Sequence, residues 1–363
     1  MEHRLLFTNQ AILSMYTLGI DLHKKSSVWV LIDDERNVLW KGDVASHPDD
    51  INRAVKKLPH PPEEIRAAIE PVTGWRWVVA QLRAMGMDVR IAHPQKVRLI
   101  AESDQKHDKG DALMLAELLR AGYFPESLRA SDDMHRLRTI VREREYFVGL
   151  RTSAKNRLHG LATTMGLHLI PGGNPLQKRG KEAIMAGDDV ALRELHLLIE
   201  DLDRRIAPFD RLIGSETGER PLARRLMTIP GVGPITALMV IAEVADFSRF
   251  ASPEKLAAFA GLVPRQRSSG GTVRFGSLTN AGSRHLRTAL VETAMRITSA
   301  NAPELYAFVE RLKPTTGAKR ARVALARKLL VIMWAMAKTG ESYRPPLVRF
   351  VPAVRNTRMS VSR

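Results

Sequence analysis

The 363-residue chain contains no cysteine. That absence removes disulfides, thiolate zinc sites and cysteine nucleophiles together, and it fits a reducing cytosol. No run of about 18 apolar residues occurs, so no membrane span is predicted. The N-terminal stretch MEHRLLFTNQAILSMYTLGID has Glu2 near its start and lacks a long apolar core followed by small residues, so it does not read as a secretory signal. Met15 offers a second start, with residues 1–14 as an upstream extension. Aromatic residues make up only 6%, which argues against a base-stacking platform. Hydrophobic residues, at 44%, are plentiful enough to fill real cores, and the length suits two or three domains.

Positive charge is abundant and unevenly placed. The formal net charge is +17. Residues 1–126 hold 17 Lys/Arg against 18 Asp/Glu, whereas residues 127–363 hold 39 against 21. A basic body of that kind points to a polyanion, nucleic acid being the commonest. The alternative is a generally basic protein with no such partner.

Four regions follow from the patterning. In residues 15–126, apolar alternation predicts strands at Thr17–Asp21, Ser26–Asp33 and Asn37–Val44. A short helix at Asp49–Leu58, a strand at Ile65–Glu70, a helix at Gly74–Met85 and a strand at Asp88–Ala92 follow, and the last stops before Pro94. A helix from about Asp108 to Leu119 closes the region. Three strands and then alternating helix and strand is the order of a ribonuclease-H-like α/β domain. Residues 127–215 are helical: Ser131 before Asp132 and Asp133 is a helix start running to about Met165. Leu192, Leu195, Ile199, Leu202, Ile206, Phe209 and Ile213 then form a heptad seam with Pro208 near its end. Either an antiparallel hairpin within the chain or an arm pairing with a second copy fits that seam. Residues 216–340 are mainly helical, and 341–363 form a basic tail, expected to be partly disordered, with no acid from Ser342 onward.

Four acids stand in telling places. Asp21 and Glu70 each end a predicted strand directly after an isoleucine. Asp108 and Asp111 stand i and i+3 on one helix face. Clustered carboxylates repel one another unless a cation lies between them, and hard Mg²⁺ prefers oxygen ligands. Any one of these acids alone is better read as solvated; Asp33, Asp34 and Asp104 are read that way. Downstream, Leu226–Glu243 reads as apolar helix, Pro-Gly-Val-Gly turn and apolar helix, a helix-hairpin-helix whose amides grip phosphate without reading sequence. Arg265–Gly271 reads as a polar, flexible loop in which Ser268 or Ser269 meets a positive setting. A Ser-Ser-Gly-Gly stretch by itself is far more often a turn than a nucleophile.

Taken together these motifs resemble a known family. Gly19–Asp21, Ile69–Trp75, the Pro94 turn and Lys106–Ala116 are similar to the N-terminal half of DEDD insertion-sequence transposases. These form the IS-one-ten family, relatives of the Piv DNA invertase described as bridge-RNA-guided recombinases. Ile229–Ala237, Phe259–Gly271 and Asn280–Ala294 resemble its C-terminal transposase domain, so the likeness spans about residues 17–340. It implies a RuvC-like domain whose Mg²⁺-binding acids are Asp21, Glu70, Asp108 and Asp111. It implies a catalytic serine before Gly-Gly, here Ser269 with Ser268 adjacent. It also implies donor and target duplex DNA, a structured guide (bridge) RNA, and a homo-oligomer, dimer or tetramer, working in the bacterial cytoplasm at the nucleoid. The chain departs from the family pattern at His107, where threonine is usual. A metal-dependent junction nuclease using the acids alone, a site-specific invertase and a non-catalytic nucleic-acid binder are the alternatives.

Overall fold

The computed structural model describes residues 16–94, 96–97, 110–127, 131–166, 174–269, 272–278 and 282–345, with the backbone course alone for 265–269 and 272–278. The chain divides into two compact units, Met1–Arg129 and Ala130–Arg363.

The first unit is a mixed α/β sheet. Its strands are β1 (Tyr16–Leu22), β2 (Ser26–Ile32) and β3 (Val38–Ala45), then β4 (Ile65–Ile69) and β5 (Asp88–Ile91). Helix α1 (Pro48–Lys56) precedes β4, α2 (Trp75–Ala84) precedes β5, and α3 (Asp111–Arg120) follows. The sheet order is β3-β2-β1-β4-β5, with β1 to β3 antiparallel and β1, β4 and β5 parallel. This arrangement is consistent with the RuvC-like domain that the resemblance implies. Where the sequence predicts a helix from about Asp108, the described helix begins at Asp111; Asp108 lies outside the described residues.

Strand alternation sorts the two faces of the sheet. Leu18, Ile20 and Leu22 of β1, with Trp29 and Leu31 of β2, pack beneath Ile51, Val55, Val78 and Leu82 of α1 and α2. Val30 and Ile32 face the other way, against Ala112 and Ala116 of α3. Gly19 and Asp21 therefore lie on the α3 side. At Gly19 the helix lies directly on the strand: an added Cβ would sit 1.7 Å from the Ala112 carbonyl oxygen. Gly19→Ala must push α3 off the sheet. Overpacking against backbone of this kind costs about 3 kcal/mol or more, which thermal denaturation followed by circular dichroism will register as a fall of several degrees in Tm.

The second unit is helical. Helix α4 (Asp132–Thr164) starts at Ser131, whose Oγ accepts the Met134 amide at 3.2 Å. After α5 (Lys178–Ala186), α6 (Val190–Glu219) runs back along α4. The direction is fixed by ion pairs: Arg144 meets Asp210 at 2.6 Å and Arg151 meets Asp203 at 2.5 Å, so advancing along α4 means retreating along α6. Ala154, Leu158 and Ala162 close on Leu192, Ile199 and Leu202. The seam is thus an antiparallel hairpin within one chain, and Pro208 is carried inside the long helix.

At its other end the hairpin enters a larger core. Leu137, Ile140 and Val141 of α4 and Ile213 of α6 pack with α7 (Pro221–Leu226) and α8 (Pro234–Val244). The same core takes in α9 (Pro253–Phe259), α10 (Arg284–Arg296), α11 (Pro303–Thr316) and α12 (Ala318–Thr339). Every residue from Thr236 to Val244 is buried, as expected of a helix apolar on all sides. Between α7 and α8, Gly231 takes φ of +80°, a conformation that disfavours any side chain.

The segment expected to be a flexible loop is a ribbon instead. Strands β6 (Pro264–Ser269) and β7 (Thr272–Leu278) pair antiparallel, with Ser269 opposite Thr272 and Ser268 opposite Val273. Two glycines, Gly270 and Gly271, separate the closing pair in the sequence, a spacing that suits a tight hairpin and that a polar run disguised. Among the described residues, no helix is long and apolar enough to cross a membrane.

Candidate active site

Three of the four expected acids lie on the α3 side of the first unit. The parallel register places Ile20 of β1 beside Ile69 of β4, so Asp21 and Glu70 are the next positions along two neighbouring central strands. Alternation from Ala68, which packs in the cluster holding Leu115 and Leu119, turns Glu70 to the same side as Asp21. Asp111 opens α3, where the positive end of the helix favours a carboxylate, and the close approach of α3 at Gly19 carries it to the sheet.

Asp21 and Glu70 both feel the charge of neighbouring acids. Burial pushes the Glu70 carboxyl up, and the charges of Asp111 and Asp21 push it further. Burial likewise raises Asp21; His23 opposes this and Asp111 adds to it. The His23 Nε2 lies 3.3 Å from Asp21 Oδ2. By contrast, Asp33 is held below the usual carboxylate range by hydrogen bonds from Asn37, in a turn. It lies in a turn just beyond β2, outside the acid group, as a solvated acid would.

The donor set is three carboxylates, and at Asp21 and Glu70 burial and the neighbouring negative charge raise the proton affinity, a condition a hard divalent cation relieves. In that respect the residues fit such an ion. Among the described residues, no three His, Asp or Glu side chains stand close enough to enclose one. Asp108, the fourth acid, and its neighbour His107 lie outside the described residues.

In the second unit the ribbon bearing Ser268 and Ser269 is anchored at its base. Just after β7, the Ser283 amide donates to the Phe259 carbonyl at 2.9 Å, and a Cβ on Gly282 would come within 2.4 Å of that same oxygen. Ser283 also caps α10 and donates its hydroxyl to Glu243 Oε2 at 2.8 Å. Glu243, only 3% exposed, receives Arg142 of α4 in a two-pronged pair at 2.8 and 3.0 Å. Burial raises the Glu243 carboxyl, but the hydrogen bonds from Arg142 and Ser283 and the charges of Arg142 and Arg138 outweigh it and hold the group low.

A group with a depressed folded pKa stabilises the fold above its unfolded value and loses that contribution as pH falls through the folded one. Glu243→Gln is therefore expected to destabilise the second unit by about 2–4 kcal/mol at neutral pH. Chemical denaturation at a series of pH values should show the gap to wild type closing below about pH 4.5.

The comparisons with known proteins fall on these same regions. Residues 18–166 match the DEDD transposase family of IS110 type, and residues 223–310 match the family described as "Transposase IS116/IS110/IS902 family". A probable family 20 transposase of Pseudomonas aeruginosa is 30% identical over 77% of this chain and 85% of its own length. The chain belongs to the IS110 family of DEDD transposases. The transposase for insertion sequence element IS1111A of Coxiella burnetii is also 30% identical to it, over 72% of this transposase and 74% of the relative. The pilin gene-inverting protein of Moraxella bovis is 26% identical over 70% and 74%.

Sequence reasoning missed two features of the transposase. His23 could have been found, since it stands two residues beyond Asp21 and strand alternation puts i and i+2 on one side. The Arg142–Glu243–Ser283 network had no local signal. Its members are 101 and 40 positions apart.

Proposed function

We propose that this protein is an insertion-sequence transposase that cuts and rejoins DNA through a serine nucleophile, Ser269, assisted by the acids Asp21, Glu70, Asp108 and Asp111. The observation that carries this reading is the placement of Asp21 and Glu70 at the ends of neighbouring strands with Asp111 at the start of α3 on the same side of the sheet, where the Asp111 charge acts on both. These acids would hold Mg²⁺, which when bound offsets negative charge on the phosphate oxygens. The serine hydroxyl attacks phosphorus, one ester bond of the backbone breaks, and the departing oxygen leaves as a hydroxyl carrying the proton the serine gives up. The Oγ–P bond keeps the energy of the broken ester, so rejoining needs no ATP. Gripping of the duplex falls to the α7–turn–α8 segment, read as a helix-hairpin-helix, whose first-turn amides at Ile235 and Thr236 have no partner within the helix. Sequence choice falls to a guide RNA encoded by the element, in keeping with the lack of a base-reading motif. The working form is a dimer or tetramer at the bacterial nucleoid.

The test is a denaturing gel of end-labelled element DNA incubated with the protein, Mg²⁺ and the RNA flanking the element. Wild type should give an SDS-resistant protein–DNA adduct that Ser269→Ala and Asp21→Ala both lack. Cleavage without an adduct would instead identify a metal nuclease. The likeness to a pilin gene-inverting protein favours a second reading, site-specific inversion, which uses the same chemistry on a different arrangement of sites.

A further inference from the structure

Directly before the Pro-Gly-Val-Gly turn, the second unit carries a cleft of about 360 Å³ lined by Pro221, Arg224, Arg225, Thr228 and Ser342. Two guanidiniums and two hydroxyls line it, and no carboxylate does. Glu219 and Glu341 are close in sequence but neither faces the cleft.

The four polar side chains are not equivalent. The Thr228 hydroxyl is fully engaged within the fold: it donates to the Arg225 carbonyl at 2.7 Å and accepts the Tyr343 amide at 2.9 Å. That second bond draws the segment after α12 across the turn and so brings Ser342 to the rim. Arg224 is steadied by one N–H on the Gly218 carbonyl, which leaves its remaining donors free to face outward. Arg225 is different. Among the described residues its guanidinium has neither an ion-pair nor a hydrogen-bond partner, and its Nε is shut off from solvent. The space beside it is also fixed, since a side chain at Gly340 would begin 3.0 Å from its Nη1.

An N–H of a charged group kept from water without an acceptor costs stability. Several guanidiniums of this unit meet carboxylates, Arg142 with Glu243, Arg144 with Asp210, and Arg220 with Asp133 and Glu216, whereas Arg225, like Arg249 and Arg327, keeps a buried Nε without a partner among the described residues; of these three only Arg225 lines the cleft. At Arg225 an anion from outside would supply the partner that the described residues do not. Paired arginine forks suit the oxygens of a phosphate better than any neutral ligand.

We infer that the Arg224–Arg225–Ser342 cleft binds a backbone phosphate of nucleic acid, adding a grip on the α7 side of the turn to the one made by the amides of α8. This rests on the proposed nucleic-acid function and locates one point of attachment within it. The phosphate chemistry is shared by duplex DNA and by folded RNA, and the test separates them.

Binding of the full-length protein to a fluorescent DNA duplex and to a fluorescent RNA hairpin is measured by anisotropy across a salt series. Removing one arginine–phosphate interaction should flatten the plot of log K against log salt by about one unit. Arg225→Gln is expected to flatten it by about one and to weaken binding about tenfold at moderate salt. Arg224→Gln, on an exposed side chain, repeats the test without disturbing the fold. Arg205→Gln removes an equal charge from the α6 surface, where Asp201 already pairs with it, and should leave the slope unchanged. A flattened slope with DNA only, RNA only or both supports the cleft and names its source. A wild-type slope in both cleft variants, or an equal flattening in Arg205→Gln, overturns it while the nucleic-acid function stands. Wild type that binds neither probe in a salt-dependent way overturns that function and the cleft together.

Discussion

Asp21→Asn is expected to lower strand cleavage by about a thousandfold and, at the same time, to make the metal-free protein more resistant to heat. On the proposed metal site, the loss would follow from removing an oxygen ligand and a negative charge that hold a cation against the phosphate, an effect of about 4 kcal/mol in the barrier. The gain follows from the same carboxyl's surroundings. Asp21 and Glu70 both have raised pKa values, from burial first, and the Asp111 charge adds to each. A carboxyl raised in this way costs the fold stability in full once pH exceeds its folded value, and the cost disappears only as pH falls below the unfolded one. Asparagine fills the same space without the charge. Thermal melting of both proteins, with and without Mg²⁺, checks this. Wild type should gain several degrees from Mg²⁺, and Asp21→Asn should start higher and gain little. A variant that melts lower than wild type, or responds equally to Mg²⁺, would sink the idea that these acids form a cation site.

The same opposition of stability and function explains what could be read in advance. Asp21 and Glu70 were legible because strand alternation is local: Gly-Ile-Asp and Ala-Ile-Glu each place an acid one step past a core isoleucine. The α4 start and the α6 seam were legible for the same reason, a cap and a regular apolar spacing. The ribbon was not. Arg265-Gln266-Arg267-Ser268-Ser269 has no apolar alternation, and its pairing is enforced by β7 and by the base at Phe259 and Ser283. Glu243 was hidden in another way. It closes an apolar run and is tolerated there only because Arg142 and Ser283 arrive from α4 and the start of α10. Local periodicity names elements, but a buried charge is explained by partners far away in the chain.

That distinction matters most for the serine, because the ribbon places two candidates side by side. Ser269 pairs with Thr272 as the last rung before the two glycines, and Ser268 pairs with Val273 one rung further in. The resemblance to the family favours the serine that adjoins glycine. Ser269→Ala is therefore expected to abolish the SDS-resistant adduct, lowering its rate of formation by roughly 10⁴-fold or more, as loss of a covalent nucleophile does elsewhere. Ser268→Ala should retain the adduct, because its neighbour supplies the attacking oxygen. The two variants differ from wild type by a single oxygen atom each on a paired ribbon, so equal folding is a checkable control by circular dichroism. If the results are exchanged, the nucleophile is Ser268 and the covalent mechanism stands. If both single variants and the double variant still cut DNA at the wild-type rate without an adduct, the attacking oxygen comes from water. The acids would then act alone, and the energy of each cut would be lost to hydrolysis, so that rejoining would need another source.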